Sequence, residues 1–354
     1  MKSHPKNNPK NTIKDKGMAQ LIGSSLMLGF RGSSLNHPDT REDIAELKSA
    51  CVRGVILFDH DIAANGPRNI HSPKQLAKLI EDLRNELGAE LVIGIDQEGG
   101  QVARLDAHNG FLPSMSADEF SDLVEMDQVQ YADRQARQLS KLGIDLNFAP
   151  CVDLAIEPGS LIIADKGRAY GSTVEEAAHC AQIVIDAHRR AKVRCCIKHY
   201  PGHGSSLMDS HLGVCDITKT HTHDEIDIFT QLIDRYTDSI AVMSGHLMHT
   251  GIDEAFPASL SKKHTTDQLR DGIGFDGVII TDSLDMRAIR DQFGEGDSAA
   301  LALNAGADLI LDGLNAPGYR EPGAPHRLAL AIAQGVEHTR LEQARDRLDR
   351  FFAR

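Results

Sequence analysis

The sequence predicts an α/β fold: a single-domain (β/α)8 barrel of the TIM type. Eight short apolar runs alternate with longer amphipathic stretches along the 354 residues, the pattern of strands each followed by a helix. Several runs end in polar residues: Asp96, Asp153 shortly after Pro150, His199, His246 and Asp282. A barrel with a pocket on its top face needs polar side chains at many strand ends, whereas a doubly wound open sheet, the alternative, gathers them at one crossover. The run Val193–Ile197 passes directly into KHYPGHGSSLMDSH, so Lys198, His199, His203, Asp209 and His211 fall between positions 198 and 211. The segment sits just past a strand's C-terminal end, where α/β enzymes keep their chemistry.

The elements follow in order. Residues 1–17, MKSHPKNNPKNTIKDKG, are rich in Lys, Asn and Pro and carry no apolar h-region. They read as a disordered, solvated tail rather than a signal peptide, leaving 18–354 as one catalytic unit. The strand-like runs are Leu21–Phe30, Gly54–Phe58, Leu91–Asp96, Asp145–Pro150, Val193–His199, Ile240–His246, Gly277–Asp282 and Asp308–Leu311. Helical periodicity marks Asp39–Ala50, Ser72–Leu87, Val129–Leu142, Val174–Ala191, His223–Ile233, Leu284–Gln292 and the region from Pro325 to Phe352. The helix at Ser72 shows a Ser cap followed by Pro, then Leu76, Leu79, Ile80, Leu83 and Leu87 on one face. Leu311–Pro325 reads as one long loop.

Bulk properties narrow the function. The net charge of −13 argues against nucleic acid or an anionic membrane as partner. The apolar stretch Met18–Phe30 is too short and too interrupted by Gly and Ser to span a bilayer. Six cysteines show no C-x-x-C pair, and Cys195 and Cys196 adjoin inside a presumed core strand. Buried thiols in a reducing compartment, and so a cytoplasmic enzyme, are expected.

Five motifs carry chemistry. In IDQEGGQVAR (95–104), an acid at a strand end precedes Gly-Gly and Arg104. The glycines allow a sharp turn and close approach to a ligand, and Asp96 and Arg104 suit sugar hydroxyls. In KHYPGHG (198–204), Pro and Gly fix a turn that projects Lys198, His199 and His203; a Lys ending an apolar strand needs a partner or a ligand. Asp209 and His211, two apart, can pair carboxylate to imidazole and make a proton shuttle. In GVIITDSLDM (277–286), Asp282 ends a β-branched strand and is a candidate nucleophile. Ser283 is the expected cap of the following helix, with Asp285 serving that helix's N-terminus. FAPCVD (148–153), with Arg168 in KGRAYG, and His246 and His249 complete the set; alone these read as turn chemistry and packing.

Together these motifs resemble the catalytic barrel of glycoside hydrolase family 3, in particular its bacterial β-N-acetylglucosaminidases. The likeness runs from about Leu21 to about Gly313 through GVILF, IDQEGGQVAR, FAPCVD, GRAYG, KHYPGHG, DSH, VMSGH, IITDSLDM and NAGAD, in family order. Because the chain ends after the barrel, it resembles the compact, single-domain members. The resemblance implies Asp282 as nucleophile and Asp209–His211 as the acid/base dyad. It implies Asp96, Arg104, Arg168, Lys198 and His199 as residues holding N-acetylglucosamine. The implied reaction is removal of terminal N-acetylglucosamine with retention of configuration, with no cofactor or metal. The implied setting is peptidoglycan recycling, with an anhydro-N-acetylmuramyl leaving group. Two segments depart from the family pattern, Asp59–Ile70 and Ala155–Gly167, and both are expected on the +1 side. Phosphorolysis is a near alternative. Further readings are a Schiff-base lyase using Lys198, a metal hydrolase using His199, His203, Asp209 and His211, which match no zinc spacing, and a non-catalytic sugar binder.

Overall fold

The computed structural model describes residues 13, 15–157, 159–208, 213–316 and 322–353. Eight parallel strands, each supplied by one of the eight apolar runs, close into a barrel. They are β1 (Leu26–Leu28), β2 (Gly54–Leu57), β3 (Val92–Ile95), β4 (Leu146–Asn147), β5 (Arg194–Tyr200), β6 (Ile240–Ser244), β7 (Val278–Thr281) and β8 (Ile310–Asp312). Neighbours in sequence are neighbours in the sheet, β1 pairs with β8 at Met27–Leu311, and a bridge between Ile280 and Leu309 joins β7 to β8. All the C-terminal strand ends therefore share one rim, and the polar strand-end residues are neighbours in space.

Helices wrap the outside: α1 (Lys16–Gly23), α2 (Pro38–Ser49), α3 (Pro73–Leu87), α4 (Glu125–Leu142), α5 (Val174–Ala191), α6 (Asp224–Tyr236), α7 (Glu295–Ala305), α8 (Ala324–Gly335) and α9 (His338–Phe352). Ser72 caps α3 as its sequence predicts, accepting from the Gln75 N–H, and Leu76, Leu79, Ile80 and Leu83 are buried. Thr173 and Glu176 form a capping box at the start of α5.

The structure differs from the sequence reading in places. The run expected as one strand, Leu21–Phe30, divides: Leu21 and Ile22 belong to α1, and only Leu26–Leu28 is strand. Helix α1 also starts at Lys16, inside the expected tail, with Asp15 accepting from the Gly17 and Met18 N–H groups as its cap. The helical region from Pro325 is two helices, separated by Val336 and Glu337. Ser283 caps no helix, because the next one spans Arg287–Phe293 with Met286 at its cap. All six cysteines are free thiols, five of them buried.

Two apolar layers result from strand alternation. Met27, Ile56, Val92, Leu146, Phe148, Cys196, Ala241, Met243, Val278, Ile280, Leu309 and Leu311 plug the lumen. Their sequence neighbours, among them Leu26, Leu28, Val55, Leu57, Ile93, Ile95, Cys195, Ile197, Val242 and Ile279, pack outward against the helices.

Candidate active site

The same alternation places three of the expected site residues above the plug. In β5 Cys196 faces inward and Ile197 outward, so Lys198 faces inward. In β7 Val278 and Ile280 face inward, and two residues on comes Asp282. In β3 Val92 faces inward, a Cβ on Gly94 would touch Met27 and Phe148, and Asp96 continues the series. Burial pushes the Cys196 thiol well up; Lys198 opposes that shift, and Asp96 and Asp282 reinforce it. One buried thiol therefore feels all three charged groups.

An alternating chain of charges runs around the β3–β5 side of the rim. Arg168 forms a two-point ion pair with Glu98, Nε to Oε2 and Nη2 to Oε1, both at 2.8 Å. The Lys198 ammonium lies 2.7 Å from Glu98 Oε1 and 2.7 Å from Asp96 Oδ1. Asp96 Oδ2 stands 3.9 Å from Arg104 Nη2, and Arg104 Nη1 stands 3.8 Å from Asp59. Burial would drive the Lys198 ammonium toward its neutral form, but Asp96 and Glu98 outweigh it and hold the pKa above its ordinary value. Burial would likewise raise the Glu98 carboxyl, yet Arg168 and Lys198 hold it well below the carboxylate range. A permanently cationic Lys198 is a poor amine nucleophile, which speaks against the Schiff-base reading.

Asp153, just past β4, holds the turn that follows Lys198. Its carboxylate accepts the His199 ring Nδ1–H at 2.6 Å, the His199 backbone N–H at 3.2 Å and the His203 backbone N–H at 2.8 Å. The Cys151 thiol donates to the same carboxylate at 3.3 Å. Burial would raise this acid, but His199 and His203 hold it far below its ordinary range. Burial and the neighbouring His199 charge push His203 down to about 4. Cys151, Asp153 and His199 are the group of metal-capable side chains among the described residues. Four donors already occupy the Asp153 lone pairs, so the cluster is built as a carboxylate nest rather than an open coordination site.

Asp282 is half-buried at the end of β7. Its N–H donates to the Ser244 carbonyl at 2.9 Å, and its carboxylate accepts the Ser283 N–H at 2.8 Å. The backbone around it is pinned. His246 donates its Nε2–H to the Ser283 carbonyl at 2.9 Å, with Nδ1 on Ser259 Oγ at 2.7 Å. Asp285, expected at a helix N-terminus, instead accepts the N–H groups of Asn315 and Ala316 at 2.6 and 2.9 Å. Ser283 Oγ joins the two loops, donating to Asp285 at 2.6 Å and accepting from Gly313 at 2.8 Å.

The expected glycine roles also change. Gly99 and Gly100 have φ of +116° and +52°, but the close approach they permit is to the chain's own Met115 and Ser116. In the Asp59–Ile70 departure, His60–Asp61 and Gly66–Pro67 form a small hairpin. Buried Arg68 ties it to the β8 side, donating to the carbonyls of Phe30 and Gly313 at 2.8 and 3.0 Å. The contact between Asp59 and Arg104 brings that insertion to the edge of the charge chain.

The structure thus brings together Asp96, Arg104, Arg168, Lys198, His199 and Asp282 on one rim. Asp209 and His211 lie outside the described residues. Sequence reasoning did not pick out Glu98 and noted Asp153 only as a polar strand-end residue. A charge count signals a missing carboxylate without saying which one: three expected cations, Arg104, Arg168 and Lys198, face only Asp96 and Asp282.

Residues 14–348 match the model of the glycosyl hydrolase family 3 N terminal domain. A β-hexosaminidase of Haemophilus influenzae is 34% identical over 295 residues, 81% of this chain and 79% of the relative. A β-hexosaminidase of Tolumonas auensis is 32% identical over 325 residues, 88% and 86% of the two chains. A solved family 3 β-N-acetylglucosaminidase from Paenibacillus sp. superposes with a TM-score of 0.80 at 30% identity. That match takes in 95% of this chain but 62% of the solved one, so this chain spans less than two thirds of that relative.

Proposed function

The chain belongs to glycosyl hydrolase family 3, and from that premise we propose that it is an exo-acting, retaining β-N-acetylglucosaminidase. The observation that carries the reading is Asp282 at the end of β7, sharing the barrel mouth with the Arg168–Glu98–Lys198–Asp96–Arg104 charge chain. Two relatives of this chain are named β-hexosaminidases, and a solved structural neighbour is named a β-N-acetylglucosaminidase.

In this reading Asp96, Arg104, Arg168, Lys198 and His199 grip one pyranose of the substrate. Asp282 attacks the anomeric carbon; the bond to the leaving oxygen breaks as a glycosyl-aspartate ester forms with inverted configuration. His211, paired with Asp209, gives the leaving oxygen its proton. It then takes one from water, whose oxygen displaces Asp282 with a second inversion. Residues 18–354 act as one catalytic unit, and muropeptide-type glycosides of cell-wall recycling are the proposed natural substrates. Among the described residues no helix is long and apolar enough to cross a membrane.

An aryl β-N-acetylglucosaminide tests the proposal. Hydrolysis should release the β-anomer first by proton NMR, and Asp282→Ala should abolish turnover. First release of the α-anomer, or an active Asp282→Ala enzyme, would overturn it.

A further inference from the structure

Lys198 and Arg168 are expected to touch sugar, yet both side chains are almost enclosed, 4% and 7% exposed. Burying two cations side by side is costly unless a carboxylate lies between them. That carboxylate is Glu98, itself 6% exposed, bound to Arg168 at two points and to Lys198 at 2.7 Å. Asp96 does not bridge the two: its ion contacts are to Lys198 and Arg104, and its side chain is more open, 17% exposed.

An ammonium has three N–H bonds and a guanidinium five. Lys198 directs two of its three to Glu98 and Asp96. Arg168 directs three of its five, two to Glu98 and one to the Ile162 carbonyl at 3.2 Å. One donor on Lys198 and two on Arg168 remain uncommitted among the described residues, fixed in direction by Glu98. Asp96 Oδ2 is 3.9 Å from Arg104, beyond hydrogen-bond range, and can accept from a hydroxyl. Small hairpin geometry sets the carboxylate: Glu98 sits in the strand Gln97–Gly99, paired to Val102–Ala103 immediately after β3.

We propose that Glu98 is a positioning residue of the sugar site: it orients Lys198 and Arg168 and keeps both charged, so that each presents fixed donors to the substrate. This rests on the function proposed above. Glu98 touches no substrate itself; it acts through the two cations.

The test is Glu98→Gln, which keeps shape and removes charge. Lys198 then retains Asp96 alone against the repulsion of Arg168. On an aryl β-N-acetylglucosaminide, KM should rise roughly tenfold to a hundredfold while kcat changes far less. KM should also become pH-dependent, climbing from about pH 8 to about pH 10 as Lys198 loses its proton, a limb the wild type lacks. Glu98→Asp, one methylene shorter but charged, should restore a flat pH profile with a KM between the two, and serves if the Gln variant does not fold. A Gln variant with wild-type KM at every pH, or an Asp variant indistinguishable from Gln, overturns the proposal. Asp282→Ala assayed beside them tells this failure from failure of the glycosidase reading: only the latter leaves that variant active.

Discussion

The two sides of the barrel mouth are built differently. At the ends of β3, β4 and β5, charged groups are enclosed and locked to one another: Arg168 to Glu98, Glu98 and Asp96 to Lys198, Asp153 to His199. At the end of β7, Asp282 is half-open, and rigidity comes from its surroundings, with His246 and Asp285 holding the backbone on either side. The difference separates holding from reacting. A group that grips substrate must itself be held, whereas a nucleophile must be precisely placed and still reachable.

The largest effect should come from the reachable side. Asp282→Ala should lower turnover by roughly 10^4-fold while urea unfolding stays within about 0.5 kcal/mol of wild type. A large stability loss there would mean that Asp282 belongs to the locked network. Lys198→Met probes the opposite side. It leaves Glu98 with Arg168 alone and Asp96 without its nearest cation, so stability should fall by about 3–5 kcal/mol, together with substrate affinity. Unchanged unfolding would show Lys198 to be a plain contact residue.

The smallest effect, taken per residue, is acid sensitivity. His203 on the locked side, with His188 and His264 elsewhere in the core, is pushed down to about 4, first by burial in each case. The ordinary histidine pKa is about 6.5. Between those values the unfolded chain binds protons that the folded chain does not, so stability is complete above about pH 6.5 and is lost as pH falls toward 4. Thermal unfolding should show Tm declining between about pH 6.5 and 5, by a free energy on the order of a few kcal/mol. His203→Gln should flatten part of that decline. A Tm independent of pH over this range would show that these rings are not buried neutral.

Much of this architecture is legible in the sequence. The eight strands stand out because each is a short apolar run bounded by polar residues or glycine, and period-2 alternation then aims Asp96, Lys198 and Asp282 at one mouth. The error at Leu21–Phe30 arises because the last turn of α1 and strand β1 are both buried and apolar, so their boundary leaves no mark in hydrophobicity. Helix α7 escapes periodicity because EGDSAALALNA is small and apolar on nearly every side. Ser283 and Asp285 look like helix-start residues, but their partners, Gly313, Asn315 and Ala316, are about thirty residues away in sequence. Glu98 and Asp153 are hidden for the same reason. Their meaning lies in Arg168, Lys198 and His199, which only barrel closure brings to them.

Turnover by the proposed route requires a covalent bond at one carboxylate. A 5-fluoro-glycosyl fluoride of N-acetylglucosamine, incubated with the enzyme and followed by peptide mass spectrometry, reads that bond directly. The expected result is one glycosyl adduct on the peptide containing Asp282, at Asp282 itself. An adduct on any other residue would contradict it.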